Sequence, residues 1–257
     1  MGFSIVMPIH NEEKNLPYSL PRILDLEPDE IIIILDRCDD KSKNVIQTII
    51  KKNGYVKRIK LLVRNDQTPD WKYRVAYLFR EGFTATENDS ILTMAADIVL
   101  DQKIKLYFSE LNKNNVKLIS FGLKYYPVDI QYFLKRLVSF LFPSKGFSGV
   151  FLFSKKAWLE TENQNEVKKI LKAQDTFLSN SIKRKYQTRH IWSNTMHMRS
   201  RTTDSKDQFM RGVAYYQITN KSLFSVFLSS ILYLRPMTLK GYLMAREKHL
   251  KSSIYSR

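Results

Sequence analysis

Apolar and polar positions along this chain fall into blocks whose period changes from one block to the next. Phe3-Ser4-Ile5-Val6-Met7-Pro8-Ile9-His10 is an apolar run closed by proline and histidine, which predicts a first strand. Asn11 to Asn15 then opens a helix carrying Leu16, Leu20, Ile23 and Leu24 at helical spacing, kinked by Pro17 and Pro21. Glu30 to Asp36 is an unbroken β-branched run, the signature of a strand buried on both faces as in a parallel sheet. Val45, Ile46, Ile49 and Ile50 mark the next helix, Val56 to Val63 a third strand, and Asp70-Trp71-Lys72-Tyr73-Arg74 the start of a helix with Val75, Leu78 and Phe79. After the polar turn Glu87-Asn88-Asp89-Ser90, the apolar run from Ile91 reads as one more buried strand that stops at the small residues before Asp97, with a helix beginning after Leu100. The alternation predicts an α/β fold: a doubly wound αβα sandwich on a mostly parallel central sheet with right-handed crossovers.

Further on, Asp129 to Phe142 has the apolar spacing of an amphipathic helix, and Gly146-Phe147-Ser148-Gly149 leads into the strand Val150 to Phe153. Phe177, Leu178 and Ile182 mark a helix that begins near Asp175. Leu223 to Leu234 is an apolar run of twelve between Lys221 and Arg235, short of the roughly 20 residues that span a bilayer. Beyond it, Lys240, Arg246, Lys248, Lys251 and Arg257 alternate with Leu239, Tyr242, Leu243, Met244 and Leu250. A domain over 1–220 with a C-terminal helical extension over 221–257 is the expected organisation. The extension reads equally as a peripheral contact with anionic membrane and as helices packed on the domain or on a second subunit.

Composition narrows the picture. With 44% hydrophobic, 12% aromatic and 26% charged residues, the chain can bury a large core and is not disordered. The lone Cys38 excludes a disulfide framework and a multi-cysteine zinc site and fits a reducing cytoplasm; the N-terminus lacks the basic and apolar regions of a signal peptide. The net charge of +17 attracts polyanions such as nucleic acid, anionic lipid or phosphorylated substrates. No nucleic-acid-binding motif accompanies it, so a specific nucleic-acid partner ranks low.

Chemistry is expected where strands end in carboxylates, because ligands of open α/β sheets bind at the C-terminal ends of the strands. Asp36 and Asp97 stand at two such ends, with a strand-end turn and a helix cap as their respective structural alternatives. Asp39 and Asp40 read as caps of the following helix.

Four motifs in order resemble family 2 inverting glycosyltransferases of the GT-A fold. Val6-Met7-Pro8-Ile9-His10-Asn11-Glu12-Glu13 resembles the family's opening. Ile34-Leu35-Asp36-Arg37-Cys38-Asp39-Asp40-Lys41-Ser42 resembles its second acidic strand end. Ala95-Ala96-Asp97 occupies the place of its Asp-x-Asp motif, with Ala95 in place of the first acid, and Gln174-Asp175-Thr176-Phe177-Leu178 resembles its Glu-Asp element.

The resemblance implies transfer of a sugar from a UDP- or GDP-linked donor to a glycan or lipid-linked acceptor. Asp175 would be the general base, a helix N-terminal carboxylate being the alternative reading. Pro8, His10, Asn11, Glu12, Asp36, Lys72, Arg74, Ala96 and Asp97 would line the donor, with Arg199 and Arg201 as phosphate partners. Asp97, with His197 as a metal or phosphate ligand, would hold Mn²⁺ or Mg²⁺, weakly or dispensably because of Ala95. Gly146, Gly149 and Trp158 would lie toward the acceptor, Trp158 either stacking on a sugar or packing in the core. The expected location is the cytoplasm or the cytoplasmic face of the membrane. The rival readings are a catalytically degenerate GT-A protein that acts as a sugar-nucleotide sensor or scaffold, and a basic nucleic-acid-binding protein.

Overall fold

A computed structural model describes residues 2–54, 58–66, 71–125, 149–162, 174–198, 205–217, 222–232 and 235–255. Among the described residues eight strands form one sheet: β1 (Phe3–Ile9), β2 (Glu30–Asp36), β3 (Ile59–Arg64), β4 (Ser90–Thr93), β5 (Ile98–Val99), β6 (Val116–Tyr125), β7 (Val150–Ser154) and β8 (Gln187–His197). Their order across the sheet is β3-β2-β1-β4-β7-β6-β8-β5. The first four pair in parallel, β7 is antiparallel to both β4 and β6, β8 is parallel to β6, and β5 is antiparallel to β8. All but β5 and β7 therefore run in one direction. The connections between the first four strands are helical: α1 (Leu16–Leu24), α2 (Ser42–Asn53) and α3 (Trp71–Ala85).

The expected α/β sandwich on a mostly parallel sheet is the fold observed. Ile31, Ile32, Ile33 and Ile34 are fully buried, alternating between two apolar clusters on opposite faces of the sheet. Leu16, Leu20, Ile23 and Leu24 of α1 join one cluster; Leu78, Phe79 and Phe83 of α3 join the other. The helix expected from Asn11 begins at Leu16, because Asn11 is in the left-handed conformation (φ 54°) and the chain turns before the helix starts. The third strand begins at Ile59, while 55–57 and the helix expected over 129–142 lie outside the described residues.

The strand read from Ile91 ends before Asp97: β4, in the sheet interior, stops at Thr93, and the chain turns at Ala96-Asp97. What the sequence did not announce is β5, which follows at once and joins the far edge of the sheet. The helix after Leu100 is of 3-10 type over Gln102–Glu110, and its capping side chain is Asp101, which accepts a 3.0 Å hydrogen bond from Lys103 N. Asp97 is released from the capping role that its sequence context allowed.

The ends of β1 and β2 are stitched together. Asn11 Nδ2 donates to Asp39, whose backbone N–H donates back to Asn11 Oδ1 at 3.0 Å. Asp40 accepts from Glu13 N and Ser42 N, both at 2.9 Å, and Glu12 N donates to Ser42 Oγ at 2.8 Å. Partial burial pushes the Asp40 carboxyl up, but these hydrogen bonds more than offset it and hold the pKa below the usual carboxylate range.

Beyond β7, α4 (Lys155–Thr161) leads to a buried ion pair. Arg80 Nη2 and Nε lie 2.5 and 3.0 Å from the Glu162 carboxylate, which also takes the Trp158 indole N–H at 2.5 Å. Among the described residues α5 (Gln174–Lys183) is followed, after β8, by α6 (Ser205–Gln217), α7 (Leu223–Leu232) and α8 (Pro236–Tyr255). α6 and α8 approach backbone to backbone at Gly212 and Gly241, where an added Cβ would lie 1.9 Å from Thr238 O and 2.0 Å from Phe209 O. α6 thus packs across the boundary expected at residue 220.

Two predictions follow from these contacts. Arg80→Met should lower unfolding stability by about 3–5 kcal/mol in urea denaturation, because it strands a fully buried carboxylate. Asp40→Asn should cost about 1 kcal/mol at pH 7, as hydrogen bonds to a charged acceptor are lost. A carboxylate with a lowered folded pKa contributes stability above its ordinary 3.8 that disappears as pH falls through the folded value. The gap between wild type and Asp40→Asn, followed by denaturation against pH, should therefore close in acid.

Candidate active site

Because β1–β4, β6 and β8 share a direction, their C-terminal ends lie along one edge of the sheet. His10 directly follows β1, Asp36 and His197 end β2 and β8 there, and Gly149 and Asp97 immediately precede β7 and β5, the strands that start from that edge. α5 leads within a few residues into the start of β8, and Asp175 is half-buried in its first turn. The fold thus gathers along the C-terminal edge the carboxylates Asp36 and Asp97, 61 positions apart in sequence.

At the β1–β2 corner, Asp36 is buried between two guanidinium groups. Arg74 Nε donates to its Oδ1 at 2.5 Å, and Arg37 Nε and Nη2 reach the carboxylate at 3.2 and 3.3 Å. Arg74 is only 2% exposed and also reaches Asp66 at 3.3 Å, so it holds Asp36 in place rather than facing the edge. Arg37 takes a left-handed backbone (φ 46°), which turns its side chain back onto the residue before it. Sequence reading overlooked Arg37, since nothing in a lone arginine after an acidic strand end announces that conformation. His10 Nδ1 lies 2.7 Å from the carbonyl of Asp36; a carbonyl only accepts, so Nδ1 is the donor nitrogen. The Cys38 thiol is pushed up in pKa by burial and donates to Ile9 O at 3.5 Å, which makes it a packing group.

On the other side of the edge, pairing of β5 with β8 brings Ile98 opposite His197. Asp97 Oδ2 then lies 3.5 Å from His197 Nε2, and Met198 N donates to Asp97 O at 2.8 Å. Two further bonds fasten this corner: Asn194 N to Asp101 Oδ2 at 2.9 Å, and Asp101 N to Thr195 Oγ1 at 3.2 Å. Asp97 is 5% exposed and His197 remains partly open. Among the described residues no three His, Cys, Asp or Glu side chains converge as a metal site, so this pair would supply two ligands at most. An oxygen-seeking cation bound there would complete its shell with water and substrate phosphate oxygens.

The other expected residues are distributed as follows. Pro8 is half-buried near the end of β1, paired with Ile34. Glu12 is buried, its carboxylate accepting from Asn15 Nδ2 at 2.7 Å where α1 begins. Ala96 is buried in the core, and Ala95 packs partly against it. Lys72 lies in the first turn of α3. Trp158 is corrected to its core alternative, since its ring is 1% exposed and packs edge-on against Phe83, out of reach of a sugar. Gly146, Arg199 and Arg201 lie outside the described residues.

Comparison with known proteins bears on the fold and the family. The mannosyltransferase PcManGT from Pyrobaculum calidifontis, solved in complex with GDP-Man and Mn²⁺, superimposes with a TM-score of 0.64 at 12% identity, covering 95% of this chain and 73% of that one. Residues 1–349 of TarS from S. aureus superimpose with a TM-score of 0.58 at 11% identity, covering 86% of this chain, which spans 66% of that fragment's length. The same TarS fragment in complex with UDP gives 0.54 at 13% identity, covering 84% of this chain and 66% of that one. These likenesses establish the GT-A fold. No curated protein matches the chain. Residues 4–161, more than half of the chain, match the family described as Glycosyl transferase family 2, and the chain accordingly belongs to glycosyl transferase family 2.

Proposed function

We propose that this chain transfers a sugar, with inversion, from a nucleotide-diphosphate donor to an acceptor hydroxyl on a glycan or lipid-linked molecule in the cytoplasm. The observation that carries the reading is the meeting of Asp97 with His197 at the sheet edge that also holds Asp36. That solved GT-A relatives are complexed with GDP-Man and Mn²⁺ and with UDP supports a nucleotide-sugar as the donor.

In this reading Asp175 takes the proton from the acceptor hydroxyl as its oxygen attacks the anomeric carbon on the face opposite the diphosphate. The bond from that carbon to the diphosphate oxygen breaks, and the nucleoside diphosphate leaves. Asp97 and His197 would hold a divalent cation, whose charge offsets the negative charge developing on the leaving group. Asp36, fixed by Arg74 and Arg37, keeps lone pairs for ribose hydroxyls or base N–H groups. Pro8, His10 and Asn11 would line the donor, Arg199, Arg201 and Lys72 would serve the phosphates, and Gly149 would lie toward the acceptor. A second reading, a nucleotide-sugar sensor without transfer, draws on Ala95 standing where the family's motif has its first acid.

Thermal unfolding with GDP, UDP and their sugar conjugates, each with Mn²⁺ or EDTA, tests the donor site. A ligand bound only by the native state raises Tm by mass action. The expected result is a rise for one nucleotide with Mn²⁺ that Asp97→Ala abolishes; no rise with any nucleotide would overturn the reading. Asp175→Asn should leave that rise intact while lowering transfer at least about 100-fold, the usual contribution of a general base. Full transfer by Asp175→Asn would remove Asp175 from the base role, and absence of transfer by the wild type despite nucleotide binding would favour the sensor.

A further inference from the structure

α7 is built inside out. Phe224, Phe227, Leu228 and Ile231 recur at the i, i+3, i+4, i+7 spacing of one helix face, and that face is exposed: 73%, 46%, 45% and 55% respectively. The inward side instead carries Val226 and Ser230, both buried, and the Ser230 hydroxyl meets no hydrogen-bond partner among the described residues. A helix that only packed on the rest of the chain would turn its phenylalanines inward and its serines out. The helix is nevertheless well formed, with Ser222 Oγ accepting from Ser225 N at 3.2 Å at its start.

We infer that this face is a membrane-docking surface: α7 lies flat on an anionic bilayer, its apolar stripe in the acyl boundary. Charge complementarity selects the occupant. The chain carries +17, and α8, which packs against α7, exposes Lys240, Arg246 and Lys248 beside exposed Leu243 and Met244. Such a mixture matches anionic headgroups above an apolar layer. A second copy of the chain fits poorly, because two bodies of +17 repel and a stripe on a ten-residue helix is far smaller than the roughly 800 Å² per partner of a stable dimer. α7 does not cross the bilayer: no helix among the described residues is long and apolar enough. The surface stands on its own geometry, and it deepens the proposed function only by placing the chain where a lipid-linked acceptor resides.

The test is flotation of the full chain with phosphatidylcholine vesicles containing or lacking phosphatidylglycerol, for the wild type and for the double variant Phe224→Ser with Phe227→Ser. Both substituted side chains are exposed, so folding is preserved. The wild type should float with the anionic vesicles, less so as salt rises, and the double variant should partition at least about tenfold less, as the loss of two large apolar groups implies. No flotation of the wild type, or equal flotation of the variant, would overturn the proposal. Light scattering that finds a wild-type dimer and a monomeric variant, without flotation, would assign the face to a second copy instead. The nucleotide-dependent Tm shift, measured without vesicles, should be the same in both proteins; its absence from the wild type counts against the donor site and leaves the docking surface untouched.

Discussion

A dry sheet interior is the constraint from which the rest of this molecule follows. Between Ile31 and Leu35 no side chain of β2 reaches water, so the strand can carry charge only at its two ends. Both ends do: Glu30 is met by Lys60 at 2.8 Å and by Ser4 Oγ at 2.7 Å, and Asp36 by Arg74 at 2.5 Å. The ends differ in what the chain does next. At the Glu30 end the carboxylate is consumed by local partners, including Glu87 N at 2.9 Å. The Asp36 end opens instead onto the turns that carry His10 and Arg37. Polar groups excluded from the layer are thereby concentrated along its rim, where a polar ligand can reach them.

Much of the fold was legible because burial leaves a strong imprint on sequence. The β-branched run of β2 and the spacing of Leu16, Leu20, Ile23 and Leu24 can be read directly, since a side chain sealed from water must be apolar. The placement of β5 was not legible. Ile98 and Val99 look like a continuation of Ile91–Thr93, and only pairing with β8, nearly a hundred residues later, reveals that they sit at the opposite edge. A two-residue strand is specified by its partner rather than by its own composition.

The site was legible to a similar depth. Acidic strand ends mark themselves, so Asp36 and Asp97 could be named from sequence. What surrounds each could not, because it depends on side-chain direction. Arg74 looked like a ligand contact and is sealed beneath Asp36, whereas Arg37 looked unremarkable and lies against the same carboxylate. Trp158 shows the same ambiguity for aromatic groups, whose type alone does not distinguish a core from a sugar platform. The inverted face of α7 was likewise hidden, since an apolar run reads the same whichever way it is turned.

The pairing of β5 with β8 also sets an order of events during synthesis. The ribosome completes β1–β4, and with them the corner around Asp36, long before residue 197 emerges. Asp97 has been translated by then but has no neighbour to hold it, because His197 and the strand that carries it do not yet exist. One half of the edge can therefore assemble on the nascent chain while the other waits for its far end, and a nascent chain that stops short of β8 lacks the His197 half of the Asp97 pair.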